Sequence, residues 1–541
     1  MPQLVLGPLL RYVDDQVATV WVQADAACEV EILGVRARTF CVEDHHFALV
    51  AVPGASGPYD VRLDGERVWP RDDDPFPAPS IRLIEPGRAI DVVFGSCRIT
   101  RPHEPPFVLR GHEDADGQGV DALRAYALRA AAAGDAASLP DLMLMLGDQI
   151  YADQPSPALK ERFAARAAER PDDAPRDELA DFTDYADAYF EAWSDPAIRW
   201  LLSTVPVAMV FDDHEIHAEW RISQGWLDEM NAESWFDHHI RAGLAAYWVF
   251  QHIGNLSPRE LADGGLYEKV VDADDAAELL AARMDTAGHQ RGHSRWSFAR
   301  DVGDARLVVI DSRAGRQVTP GDRKLISDDE WDWVRAQAGD PSRHLLIASS
   351  VPFLLAPGLH HAEAFDEALA DGRWGLPKVG EKLRRLGVLD HWASFQQTFQ
   401  RFAALMDELS RDRDARRSIV LLSGDVHHCY LAEVGWREPG VARVPVWQAV
   451  CSAFRKELAP YERAAIMFGH SATGERLARG LSRAIGVEPL PLDWRVVEEP
   501  AYANQIGTIR LDGDTAALHV EAVDDDWRDP RLHVAFTRGL A

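Results

Sequence analysis

The sequence predicts an α/β protein behind a small all-β unit. Up to about residue 85, short runs rich in β-branched and aromatic residues succeed one another with no helix-period segment between them. From about residue 88, continuous apolar runs alternate with helical ones, the pattern of sheets buried on both faces. Four of those apolar runs end in metal-ligating residues: Val92-Val-Phe-Gly-Ser-Cys97-Arg98, Leu144-Met-Leu-Gly-Asp148-Gln-Ile-Tyr151, Met209-Val-Phe-Asp212-Asp213-His214-Glu215 and Val420-Leu-Leu-Ser-Gly-Asp425-Val-His427-His428.

In chain order, strands are expected at Val17–Val22, Glu29–Leu33, Phe40–Val42 and Phe47–Val52, then at Tyr59–Leu63 and Arg67–Trp69 around the hairpin turn Asp64-Gly65. Together they predict a sandwich of immunoglobulin or fibronectin type over residues 1–85, bounded by the charged, proline-rich segment Arg71–Pro79. Residues 86–541 form the second unit. Its strands are expected at Asp91–Gly95, Leu142–Leu146, Val207–Phe211, Arg306–Asp311, His344–Ser350 and Ile419–Ser423. Helices are expected at Ala122–Ala133, Tyr185–Ser203, Glu233–Ile253 and Phe395–Arg411. Pro155–Asp181, poor in apolar residues, predicts an exposed insertion, and Ile506–Leu511 with Ala517–Ala522 predicts a late hairpin across Asp512-Gly513-Asp514. Ligands of such sheets bind at the carboxyl ends of strands, where all four marked segments place their polar residues.

A chain of 541 residues is long for one core, so two or more units are expected. The formal net charge of −30 opposes nucleic acid and anionic membrane, which argues against general polyanion binding. It also opposes a phosphorylated substrate, so bound cations would have to reverse the local sign. No stretch has the length and apolarity of a membrane span, and no export signal opens the chain, so a cytoplasmic location is expected; a chain trimmed of an export signal would read the same way. Five cysteines, Cys28, Cys41, Cys97, Cys429 and Cys451, form no disulfide framework.

Each marked segment has a chemical reading and a plainer one. Asp148, after the sharp turn that Gly147 permits, can bridge two cations with its two oxygens, or simply cap a helix. Tyr151, three residues on, can reach the same cation as a phenolate. The adjacent acids Asp212 and Asp213 are costly to hold together without a cation, and His214 offers a general acid or a phosphate contact. Asp425 and His427 point the same way in an extended segment, leaving His428 to point elsewhere. Cys97 is a thiolate ligand or an inert buried thiol; Arg98 is a planar fork for phosphate or a salt bridge. His238-His239 reads as helix core. His360-His361 reads as a loop at the mouth, and Arg313 is a candidate substrate contact. The tryptophans Trp193, Trp200, Trp220, Trp226 and Trp235 are expected around the mouth, at a domain interface or in a lid. Strand ends converging on a dinuclear metal centre predict a hydrolase of phosphate esters. The competing reading is a binding protein whose metals are structural.

With Gly-Ser-Cys97, Gly-Asp148-x-x-Tyr151, Asp212-Asp213-His214-Glu215 and Ser-Gly-Asp425-Val-His427 in this order, the chain resembles the PhoD-like (alkaline phosphatase D) family of metallophosphatases. The resemblance implies a calcineurin-like core, a four-layer α/β/β/α sandwich, and hydrolysis of small-molecule phosphodiesters and monoesters with ferric iron and calcium, other divalent metals being possible. It implies Cys97, Asp148, Tyr151 and His427 as iron ligands. Asp148 then bridges to a calcium side where Asp213 and Asp425 are ligands and Asp212 is the alternative to Asp213. His214 stands near the leaving group and Arg98 at the phosphate. A hydroxide held between the metals then attacks phosphorus in line. Nucleotide, phospholipid or polyphosphate substrates remain alternatives. Two features depart from the family pattern: the absent export signal, and the strand ending Ala348-Ser349-Ser350, which has no histidine where many calcineurin-like enzymes place one.

Overall fold

A computed structural model describes residues 1–134, 138–170, 172–289 and 295–541. Two four-stranded antiparallel sheets open the chain. One pairs Leu4–Val13, Val17–Ala24, His45–Pro53 and Phe40–Val42; the other pairs Val35–Arg38, Glu29–Ile32, Val61–Leu63 and Glu66–Trp69. This agrees with the all-β expectation, with one addition: the sandwich is sealed to the α/β unit. Arg11, fully buried, donates to the carbonyls of Val207, Phe250 and Gln251, and Trp21 packs on Phe250.

The remaining strands form two large mixed sheets. The six-stranded sheet runs Val207–Met209, Leu142–Met145, Ile90–Gly95, Gln505–Asp512, Thr515–Val523, Leu532–Gly539, its first three strands parallel. The seven-stranded sheet has a parallel centre of Ala305–Ile310, His344–Ser349, Ser418–Ser423 and Val446–Val450. Alternation along each strand assigns the layers. Val92, Phe94, Leu142 and Leu144 share a core with Leu307, Val309, Leu346, Val420 and Leu422 of the other sheet. Their neighbours Val93, Met143 and Met145 turn outward to helices Phe182–Trp193, Pro196–Thr204 and Phe236–Phe250. Val308, Ile310, Leu345, Ile347 and Leu421 turn outward to Asp328–Gly339 and Gln396–Ser410. Because both faces are buried, these strands read as unbroken apolar runs. The result is the α/β/β/α sandwich.

Three expectations shift. The helix expected over Tyr185–Ser203 is two, because Asp195-Pro196 starts a new one: Asp195 accepts from the backbone of Ala197 and Ile198, with proline at the first helical position. The expected insertion after Pro155 contains the helix Pro157–Ala165, held by buried Leu159 and Phe163. His360-His361 lies in the helix Pro357–Ala370, with His360 buried, not in a loop. Of the tryptophans, Trp193 and Trp220 are fully buried in the helical layer, so they serve the core and not a lid. Cys429 and Cys451 are buried, and Cys28 and Cys41 half-buried.

Candidate metal centre

The parallel strands of both sheets end at one place. Cys97 N–H donates to the Gly147 carbonyl (3.2 Å), Arg98 N–H to that of Asp148 (3.2 Å), and Asp425 N–H to Ser96 Oγ (2.9 Å), tying the segments after three strands together. Gly424 has no room for a side chain, since a Cβ there would lie 2.1 Å from Ser96 Oγ. Cys97, Asp148, Asp425 and His427 all have left-handed backbone, φ 56°, 53°, 66° and 50°. Such residues store strain of about 1–3 kcal/mol each, and here it is concentrated where three strand ends must turn their side chains inward.

The donor atoms form three overlapping groups, each within 4.8 Å: Cys97, Asp148, His427; Asp148, Asp213, His214; and Asp212, Asp213, Asp425. Asp148 and Asp213 link them. Tyr151 is buried beside this cluster, its ring 4.4 Å from that of His214. Asp148 Oδ1, Tyr151 Oη and Asp212 Oδ2 are buried and accept or donate no hydrogen bond. Burial pushes the Cys97 thiol and Tyr151 phenol well up, and the neighbouring carboxylates push them further. Burial likewise raises Asp148 to about 7, with His214 opposing it and Asp213 and Asp425 adding to it. A neighbouring cation would favour the anionic form of each of these groups. Burial and Lys456 lower His427 to about 3, leaving the neutral imidazole that ligation requires. The donor set fits a metal.

Residues with no expected role organise the cluster. The buried Glu215 carboxylate accepts from the backbone of Asp148 (3.2 Å), Gln149 (2.7 Å) and Asp212 (2.7 Å), so one side chain fixes two ligand loops. Asp153 holds His214 Nδ1 at 2.7 Å. Burial alone would lower His214; Asp153, Asp148 and Asp213 outweigh it and raise it to about 10. Arg313 Nη2 lies 3.0 Å from Asp425 Oδ1 and 3.5 Å from Asp213 Oδ1, and the same fork binds Asp212 and Asp390. His391 Nε2 lies 3.2 Å from Asp425 Oδ2, with Nδ1 held by Glu363 at 2.7 Å. Lys456 stands 4.9 Å over the Tyr151 ring. The strand end Asp311-Ser312-Arg313 signalled Arg313; no strand end signals His391 or Lys456.

Arg98 departs from expectation. Its Nε and Nη2 engage Asp121 at 2.8 Å and its Nη1 donates to the Ala192 carbonyl at 2.7 Å, all buried. Asp121 also caps the helix Ala122–Ala133. A fork occupied in this way anchors that helix and is not free for phosphate; Arg313 is the arginine and Lys456 the lysine that the cluster residues meet. His428 bonds the Val426 carbonyl and stacks on Tyr430, and His239 bonds the carbonyls of Leu179 and Ile216. Both are structural.

The sequence profile of PhoD-like phosphatases matches residues 117–464. The chain belongs to the PhoD-like phosphatase family. A profile described as a domain of unknown function, DUF7800, matches residues 1–81. Cys97 and Arg98 precede the phosphatase match, whereas Asp148, Tyr151, Asp213, His214, Asp425 and His427 lie inside it. No curated protein matches the chain. Among solved structures, one titled "Structure of PhoD" superposes with a TM-score of 0.60 at 11% identity, over 99% of this chain and 90% of that one. A purple acid phosphatase from yellow lupin (Lupinus luteus) seeds gives 0.44 at 10% identity, over 99% and 73%. The first likeness is one of fold. Family membership makes this PhoD-like protein a metal-dependent phosphatase, a phosphoester hydrolase. Among the described residues no helix is long and apolar enough to cross a membrane.

Proposed function

We propose that this PhoD-like protein is a phosphodiesterase and phosphomonoesterase of the alkaline phosphatase D type. Cys97, Asp148, Tyr151 and His427 hold ferric iron, and Asp148, Asp213 and Asp425 hold calcium. The observation that carries the reading is the pair of unpartnered buried atoms, Asp148 Oδ1 and Tyr151 Oη, in a cluster with a thiol and a neutral imidazole. When bound, the metals supply Lewis acidity to the phosphoryl oxygens and lower the pKa of a nucleophilic water.

The chain's own residues do the rest. His214, kept protonated by Asp153, has a proton for the leaving oxygen and is partly open to solvent, as a donor to a departing group must be. Asp425 and His427 share that partial exposure, so substrate approaches from their side. Arg313 neutralises the carboxylates beneath, and Lys456 offers an ammonium to a phosphate oxygen.

Elemental analysis with a substrate panel tests the reading. Iron and calcium near one to one, with faster turnover of a bis-aryl phosphodiester than of mononucleotides or phospholipids, is the expected result. A metal-loaded protein inert to every phosphoester would overturn it. Tyr151 on ferric iron gives visible colour, and Tyr151→Phe bleaches it while leaving the protein folded.

A further inference from the structure

In a chain with 57 basic and 87 acidic residues, one face inverts the balance. The helices Pro377–Gly387 and Ala472–Ala484 hold four and three basic residues against one acid each. On the first, Val379, Leu383 and Leu386 recur at i, i+4, i+7, and Lys378, Lys382 and Arg385 recur at the same spacing one residue earlier, so an apolar stripe and a basic stripe run side by side. Gly380 and Arg384 fix the orientation. A Cβ on Gly380 would lie 2.4 Å from the backbone of Ala370, and Arg384 reaches inward to Asp366. Both stripes face out: Leu386 is 73% exposed, and the exposed Lys378 and Lys382 make no ion pair among the described residues, while the half-buried Arg385 is paired with Glu229.

The apolar stripe continues. Trp374 and Leu376 are exposed, and Trp374 meets Phe365 edge-on at 5.5 Å. Phe365 floors a groove of about 170 Å³ walled by Phe468, Leu477 and Leu481, all three exposed. Arg476 and Arg483 lie on the same helix as Leu477 and Leu481, exposed and without an ion-pair partner among the described residues. Phe365 lies on the helix Pro357–Ala370, whose Glu363 holds His391 against Asp425. The face thus lies on the far side of the helix that holds His391 against Asp425.

We propose that this face docks on an anionic bilayer surface. Interfacial helices have this composition, an apolar row that enters the headgroup boundary beside a basic row that meets lipid phosphates. Charge complementarity selects this occupant over a second copy. A two-fold dimer through the same stripes would oppose Lys378 and Lys382 to their own kind. The net charge of −30 opposes contact with an anionic surface elsewhere on the molecule on average, which favours approach through this face.

The test is flotation of the full-length protein with vesicles of phosphatidylcholine alone or mixed with phosphatidylglycerol, at low and high salt. Binding is expected only to the mixed vesicles and is expected to fall with salt. Lys378→Gln with Lys382→Gln should weaken it on the order of 30-fold, from about fivefold per basic side chain. Leu383→Asp with Leu386→Asp should abolish it. These positions are exposed, so both variants should keep the wild-type Tm and wild-type turnover of a soluble aryl phosphodiester. Equal flotation with neutral vesicles, no flotation, or variants that float like wild type would overturn the proposal. So would a dimer in sedimentation velocity that Leu383→Asp with Leu386→Asp dissolves, because a second copy would then own the face.

Discussion

The two sides of the metal-ligand cluster are made of the same kinds of residue in opposite electrostatic states. Around Cys97, Asp148, Tyr151 and His427, no lysine or arginine among the described residues makes an ion pair with Asp148, and two oxygens stand without a partner. Around Asp212, Asp213 and Asp425, the Arg313 guanidinium reaches all three carboxylates, and His391 approaches the last. A buried anion needs a counter-charge. The second side has one in ion-pair contact; the first has His214 and Lys456 nearby but no ion pair to Asp148 among the described residues, so a bound cation would add most there. The difference teaches where loss of metal is felt most.

Asp148→Asn tests the undersupplied side most severely. It removes the charge common to two donor groups and leaves the volume unchanged. Phosphodiesterase kcat/KM should fall by at least about a thousandfold, roughly 4 kcal/mol of transition-state stabilisation. Bound metal should fall with it in elemental analysis. Full activity in this variant would remove Asp148 from the site.

Arg313→Met tests the other side. Four carboxylates lose a shared cation, and breaking a buried ion pair from one partner costs about 3–5 kcal/mol. The Tm in chelator should drop by several degrees, and excess divalent cation should restore part of it. An unchanged Tm in chelator would mean that Arg313 does not neutralise this side.

The same contrast separates the legible residues from the illegible ones. The four segments that bring the candidate donors together were readable because each ends an apolar strand, and strand ends in doubly covered sheets have one place to converge. The layers were readable as unbroken apolar runs, since sheets covered on both faces bury every position. The counter-charges were not. Arg98 comes straight after a strand end and looks like a phosphate fork, yet Asp121, 23 residues later, occupies it. Asp153 and Glu215 lie within the marked segments or just beyond them, but which backbone or ring each holds depends on loop geometry with no period. His391 and Lys456 reach the cluster from segments that carry no strand signal. The stop between Trp193 and Pro196 was visible as Asp-Pro, a helix start that apolar periodicity alone overrides.

Asp153→Asn probes the bridge between the two sides with a smaller expected effect. Removing this carboxylate weakens what holds the His214 pKa above its ordinary value, so the proton is lost at lower pH. The alkaline limb of the kcat–pH profile should move down by about one unit, with roughly tenfold lower kcat above it and little change below. A profile that only scales down, with its limbs fixed, would assign Asp153 to structure alone.

His391→Gln should have the smallest effect and the most diagnostic one. His391 touches Asp425 Oδ2 while Arg313 holds Oδ1, so the carboxylate is oriented from both ends. Glu363, and after it Asp425, overcome burial and raise His391 well above the usual imidazole range, so it sits there as a cation. Glutamine keeps a donor of similar reach and removes the charge. If His391 only positions Asp425, kcat should fall by a few fold, about 1 kcal/mol, with KM nearly unchanged and metal content intact. If it also helps to neutralise the side that Arg313 serves, combining His391→Gln with Arg313→Met should lower the Tm in chelator by more than the two single losses together. Strict additivity would leave Arg313 as the sole counter-charge there, and the contrast between the two sides would rest on one residue.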